Sequence, residues 1–306
     1  MDRRSAMFLG AASAMASLPG SKASSSPRTR TLAQRVPFID RADGTRLWLT
    51  DWGTGAPLLF VHAAGLNSGS WALQLTPMMK AGYRCVAYDR RGHGRSSVPG
   101  GGYDYDTLAE DLAAVIEALD LRDLTLVGHS MGCGEIVRYL TRHGAARVRR
   151  IALLAPTLPF FLKTADNPLG LDPAFFVGLR AAWLRDYPGW AWQQTPAFFS
   201  PDTSQAMQQW GFTLGTQTHL HAILETHIAV TETDFRAELP RVSVPTLILH
   251  GTQDRSCPLA STGERTAKLI PAARLEVIEG AAHGLLLTHA ERVNAALLEF
   301  LREGCC

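Results

Sequence analysis

The chain has 306 residues, 19% charged and 46% hydrophobic, with a formal net charge of +2. That composition excludes a disordered chain, and the length suits one large α/β domain or two ordinary ones. The near-neutral balance gives no support for nucleic-acid binding, which needs a clustered basic face, and no apolar run is long enough to span a bilayer.

The N-terminus has the layout of an export signal. Arg3-Arg4 comes first, a weakly apolar stretch from Ala6 to Leu18 follows, and the chain then turns serine-rich. Ser21 and Ala23 fit the small-residue rule for cleavage after Ala23. Adjacent arginines before a mild apolar region resemble a twin-arginine signal, although Asp2 and Ala6 depart from the usual residues there. Residues 1–23 are therefore expected to direct export to the periplasm or medium, with residues 24–35 as a linker. The alternative is a cytoplasmic protein with a disordered tail.

From Val36 onward, strand-like runs alternate with helical patterns. "FIDRADGTRLWLTDWG" reads as a hairpin turning at Asp43-Gly44. Pro57–His62, Arg84–Asp89, Leu124–Gly128, Val148–Ala155, Pro245–Gly251 and Ala273–Gly280 are strand candidates. Pro57–His62 is continuously apolar, as in a parallel strand buried on both faces. Helical patterns cover Trp71–Ala81, Tyr105–Leu119, Met131–His143, Leu259–Ile270 and Thr288–Leu301. This alternation predicts an α/β fold, a mainly parallel sheet with helices on both faces. Residues 36–156 and 241–303 would form its core. Residues 157–240 break the rhythm: they show no clear strand and hold Trp183, Trp190, Trp192 and Trp210 among many phenylalanines. They read as a helical cap over the carboxyl ends of the strands, where ligands bind in open α/β sheets.

"LVGHSMGCGE", Leu126 to Glu135, contains a Gly-x-Ser-x-Gly pentapeptide between a strand and a helix. Gly128 and Gly132 would leave room for a sharp turn that exposes Ser130. A serine hydroxyl needs a base, a group to orient that base, and donors for the oxyanion. The required chain order, serine, acid, histidine, selects Asp254 and His283, each just after a late strand. The backbone N–H groups of Met131 and Ala64 are the expected oxyanion donors. His129, Gly65, Phe160 and Phe161 are expected to line the substrate pocket.

Other candidates fit less well. His250 precedes Asp254 within its strand, His289 lies in the last helix, and His62 reads as structural. Asp234 and Glu232 have no strand end to position them. Glu135 reads as solvated or paired with a loop. Cys85 and Cys133 read as packing residues, and Cys305 and Cys306 as a frayed end. The cysteine spacing gives no disulfide framework or zinc site, and no other metal cluster or phosphate loop is evident.

These residues resemble the α/β-hydrolase superfamily, and more closely its cofactor-free haloperoxidase (non-haem chloroperoxidase) and arylesterase branch. The likeness is carried by "YDRRGHGRSS" (Tyr88–Ser97), "YDYDTLAEDL" (Tyr103–Leu112), "LVGHSMGCGE", "DNPLG" (Asp166–Gly170), "PTLILHGTQD" (Pro245–Asp254) and "GAAHGLLLTHAERVNAALLEFL" (Gly280–Leu301). The resemblance implies an eight-stranded sheet with a helical cap, and Ser130, Asp254 and His283 fall on the family's triad positions. It implies no metal and no cofactor. Members hydrolyse small esters, and some form peracids that oxidise halide. Two departures surround the acyl pocket. His62-Ala63-Ala64-Gly65 stands where His-Gly, an aromatic and then Pro or Leu are common, and His129 stands where Phe is common. They weigh against perhydrolysis more than against hydrolysis.

The expected function is therefore a serine carboxylic-ester hydrolase acting on a small, largely apolar ester or lactone, without a nucleic-acid partner. The alternatives are a perhydrolase or haloperoxidase using the same triad, and a ligand sensor that keeps a hydrolase fold. Oligomeric state is not written in the sequence.

Overall fold

The computed structural model describes residues 37–303 except residue 272. The expected leader and linker, Cys305 and Cys306 lie outside the described residues. The chain opens with the hairpin of β1 (Phe38–Asp40) and β2 (Arg46–Trp52). Its turn is held where Asp43 Oδ1 accepts from the Thr45 N–H at 2.9 Å and Gly44 takes φ 84°. Then follow β3 (Pro57–Val61), α1 (Ala72–Lys80), β4 (Arg84–Tyr88), α2 (Tyr105–Ala118), β5 (Leu124–His129), α3 (Met131–His143) and β6 (Val148–Leu154).

Four helices separate β6 from the next strand: α4 (Pro173–Gln193), α5 (Thr195–Phe198), α6 (Gln205–Thr216) and α7 (Leu220–Glu232). The chain ends with β7 (Thr246–Gly251), α8 (Gly263–Leu269), β8 (Ala273–Ile278), α9 (Leu285–Thr288) and α10 (Ala290–Arg302). One eight-stranded sheet has the order β1-β2-β4-β3-β5-β6-β7-β8. β1 and β2 pair antiparallel, β2 meets β4 antiparallel, and every later pairing is parallel.

Strand alternation divides the interior between two faces. Leu59 and Val61 point toward a cluster containing Leu108, Leu112 and Ile136 of α2 and α3. Leu58 and Phe60 point toward Met78 of α1 and Leu297 and Phe300 of α10. Helices thus cover both faces, and every residue of β5 and β7 is buried. This is why those strands read as unbroken apolar runs.

Two helix starts differ from expectation for local reasons. The helix expected from Leu259 starts at Gly263, because the Thr262 hydroxyl and N–H bond back to the Pro258 carbonyl and close a turn first. The last helix, expected from Thr288, starts at Ala290: the separate short α9 ends at Thr288, whose hydroxyl meets His289 Nδ1 at 2.9 Å, and His289 leaves helical geometry at φ −121°. In the insertion, Asn167 Nδ2 donates to the Leu162 carbonyl at 2.7 Å and two isolated bridges close "DNPLG" into a small loop. Helix α4 starts under an Asp172 cap and is kinked at Asp186, two residues before Pro188.

Candidate active site

Ser130 stands between β5 and α3 with φ 55° and ψ −117°, a conformation rare for a side-chain-bearing residue. Its N–H donates to the Leu154 carbonyl at 2.9 Å, which ties the turn to β6. The flanking glycines are required sterically. A Cβ at Gly132 would lie 2.3 Å from the Val61 carbonyl oxygen, and one at Gly128 would lie 2.9 Å from the Cys133 nitrogen. The pentapeptide therefore folds as a nucleophile elbow.

The ends of β7 and β8 bring two further side chains to Ser130. The Ser130 hydroxyl lies 3.0 Å from His283 Nε2. His283 Nδ1 lies 2.8 Å from Asp254 Oδ2. Because the carboxylate only accepts, Nδ1 carries the proton and Nε2 is left to accept from the serine. The other carboxylate oxygen, Oδ1, accepts from the N–H groups of Ser256 at 3.0 Å and Cys257 at 2.8 Å. Burial opposes the Asp254 charge, but facing His283, hydrogen bonds from His250 and His283, and the Cys257 N–H outweigh it. The carboxyl is held well below the usual carboxylate range.

Of the two expected oxyanion donors, Met131 directly follows Ser130 and Ala64 lines the same cavity as Ser130. Met131 is the first residue of α3, so its N–H has no acceptor within the helix and belongs to the positive end of the helix dipole. The Ala63 carbonyl accepts from His62 Nδ1 at 2.8 Å and from Arg90 Nη1 at 3.4 Å. Across the trans peptide, the Ala64 N–H points the opposite way from that carbonyl. Ala64, Gly65, Ser130 and His283 share the wall of one cavity of about 610 Å³. Gly65 takes φ 72°, and its N–H faces His93 Nε2 at 3.4 Å.

The rest of the wall comes largely from the insertion. Phe161, Phe176, Trp183, Tyr187, Trp190, Ile223 and His227 line it. The aromatic clustering of residues 157–240 was the signal for these, but it could not say which rings face inward. Phe161 does, meeting Phe176 with ring centroids 6.3 Å apart. Phe160 does not: it packs under the Arg236 guanidinium at 5.3 Å, so its expected place on the pocket wall is corrected. His227 meets Trp183 edge-on with ring centroids 4.5 Å apart, and burial pushes its pKa down to about 4.

His129 is also not on the cavity wall. It is the last residue of β5 and turns toward Trp71 and Phe198, beneath the site. Its Nε2–H donates to the His283 backbone carbonyl at 3.0 Å, and the two rings lie 5.0 Å apart. Burial and the neighbouring His283 push its pKa down to about 3, so it is neutral near pH 7.

Glu135 is not solvated, and its partner is a loop residue: Arg90 lies just after β4. Glu135 is fully buried on α3, paired with Arg90 and hydrogen-bonded by the Tyr88 hydroxyl at 2.6 Å. Burial pushes its carboxyl up, against the pull of Arg90. Arg90 also donates to the His62 carbonyl at 2.7 Å, and His62 Nε2 accepts from the Arg90 N–H at 2.9 Å. "YDRRGHGRSS" contains Arg90, yet nothing in the sequence assigns it a place under the His62–Gly65 loop. His250 is buried beside Asp254, with Nε2 2.8 Å from the Cys257 carbonyl and 3.3 Å from Asp254 Oδ2. His289 lies at the start of α10, and Asp234 pairs with Arg236 away from the cavity.

The strand order and the elbow between β5 and α3 define an α/β-hydrolase. Residues 56–290 match the alpha/beta hydrolase fold family, and the chain belongs to it. A non-heme haloperoxidase from Rhodococcus erythropolis is 40% identical over 87% of this chain and 99% of that protein. A bifunctional esterase/perhydrolase from Acinetobacter calcoaceticus is 34% identical over 87% of this chain and 99% of that protein. Among solved structures, an esterase from Exiguobacterium antarcticum superposes with a TM-score of 0.84 at 32% identity, covering 87% of this chain and 99% of that one. The chain is thus an α/β-hydrolase of the group that includes haloperoxidases and esterases.

Proposed function

We propose that this protein is a serine carboxylic-ester hydrolase for small, largely apolar esters or lactones. The observation that carries the reading is the contact series Ser130 Oγ to His283 Nε2 at 3.0 Å and His283 Nδ1 to Asp254 Oδ2 at 2.8 Å. It lies on the wall of an aromatic cavity of a size that suits a small ligand.

His283 takes the Ser130 proton as Oγ attacks the ester carbonyl. The N–H groups of Ala64 and Met131 bind the developing oxyanion. The tetrahedral adduct collapses, the C–O bond to the alcohol breaks, and His283 returns the proton to the leaving oxygen. Water, deprotonated by His283, attacks the acyl-Ser130 ester; the acyl bond to Oγ breaks, His283 returns the proton to Oγ, and the acid is released. Asp254 keeps the imidazole in the required tautomer throughout.

A chromogenic short-acyl ester assay tests this. Ser130→Ala should lower kcat by about 10⁴-fold or more. Equal rates for the two proteins would overturn the assignment. A second reading, perhydrolysis through the same three residues, is favoured by the haloperoxidase and esterase/perhydrolase relatives. Peroxide-dependent bromination in acetate buffer that disappears in Ser130→Ala would establish it. Export through residues 1–23 belongs to the proposal, and N-terminal sequencing of protein recovered from the periplasm or medium tests it.

A further inference from the structure

Among the described residues that line the cavity, none is Asp or Glu, and Arg255 alone carries a fixed charge. Arg255 follows Asp254 directly, but the Asp254 oxygens are taken by His283, His250 and the Ser256 and Cys257 N–H groups. Among the described residues Arg255 forms no ion pair. It is exposed while lining the cavity, which places it at the opening with exposed Leu171 and Phe175. A guanidinium is always ionised and matches a carboxylate with two parallel donors. The rest of the lining is mostly aromatic and aliphatic and offers an anion no repulsion.

Resting on the ester-hydrolase reading, we propose that the substrate is an ester or lactone with an apolar body and a terminal carboxylate, which Arg255 binds at the cavity opening. The apolar part fills the aromatic interior, the scissile carbonyl reaches Ser130, and the carboxylate stays at the solvated rim. There it keeps its hydration, so it is not desolvated without compensation.

The test compares two matched ester pairs at pH 7.5, where a carboxylate is ionised. One pair carries the charge on the acyl chain: 4-nitrophenyl hydrogen glutarate against 4-nitrophenyl pentanoate. The other carries it on the leaving group: 4-acetoxybenzoate against phenyl acetate. The readout is the ratio of kcat/KM, charged to neutral, in wild type, Arg255→Gln and Arg255→Lys. In at least one pair the ratio should fall about fivefold in Arg255→Gln, recover in part in Arg255→Lys, and shrink in wild type at high salt. Ratios equal in wild type and Arg255→Gln for both pairs would overturn the proposal while leaving the ester-hydrolase reading intact. Hydrolysis that persists in Ser130→Ala would overturn the reading itself.

Discussion

The Arg90 guanidinium donates to the Glu135 carboxylate at 2.6 Å, and neither side chain reaches solvent. Removing one partner of such a pair leaves a buried charge uncompensated, which costs far more than the pair contributes. Glu135→Ala should lower the urea-derived stability by about 3–5 kcal/mol. The double variant Arg90→Met with Glu135→Met should lose much less than the sum of the two single changes. Additive losses in a double-mutant cycle would show that the pair does not act as a unit.

The same arginine reaches the active site through backbone. It holds the His62 and Ala63 carbonyls, and so the direction of the Ala64 N–H. With the Ala64 N–H in its proposed role as an oxyanion donor, Arg90→Met should lower kcat by about tenfold or more with a smaller change in KM, since such a donor acts mainly in the transition state. A variant that remains folded by circular dichroism yet retains full kcat would remove Arg90 from that role.

Much of this arrangement was legible in the sequence, because the fold writes its strands as apolar runs and its elbow as glycine spacing. Ser130, Asp254 and His283 follow from the glycine spacing, the chain order and the position of each just after a strand-like run. What escaped was anything decided by which side of the backbone a residue takes. His129 and Phe160 each neighbour a cavity residue and point the other way. Glu135 read as solvated or paired with a loop; the loop partner exists, but its burial depends on Tyr88 and Arg90, which lie more than forty residues away in the chain. The pairing of Arg90 with the His62–Gly65 loop joins segments nearly thirty residues apart, and no local pattern encodes it.

Buried histidines set an acid limit on stability. Burial pushes His93 and His129 down to about 3 and His62 well below its ordinary value. In the unfolded chain each titrates near 6.5. Below that pH the unfolded state binds more protons than the fold, so stability is fully present above about 6.5 and is lost as pH falls toward the folded values. Each such histidine contributes up to about 1.4 kcal/mol per pH unit in that window. Urea titrations between pH 6.5 and 4.5 should show His129→Phe losing stability less steeply, by about one proton. An identical slope would mean that His129 is protonated in the fold.

Gly132 has no tolerance for a side chain. An added methyl would lie 2.3 Å from the Val61 carbonyl oxygen and 3.1 Å from that of His62, both backbone atoms of the strand beside the site. Strand β3 cannot retreat, because Leu58 and Leu59 are locked into opposite cores. Gly132→Ala should destabilise the protein by about 2 kcal/mol or more and reduce activity in whatever fraction folds. Near-wild-type thermal midpoint and kcat in this variant would contradict the steric account of the elbow.

Two cysteines near the site should be silent. Cys133 lies in the first turn of α3 and Cys257 on the cavity wall beside Asp254. Burial pushes both thiols well above their ordinary pKa, so neither offers a thiolate at neutral pH. Native protein treated with iodoacetamide at pH 8 should therefore keep Cys133 and Cys257 unmodified by peptide mass mapping and retain the proposed ester hydrolysis at the untreated rate. A fluorophosphonate, which needs only the activated hydroxyl of Ser130, should inactivate the same sample with one label per chain. Rapid alkylation of Cys257 with loss of activity would instead mean that the cavity wall opens and that a thiol, not only the serine, controls access to the site.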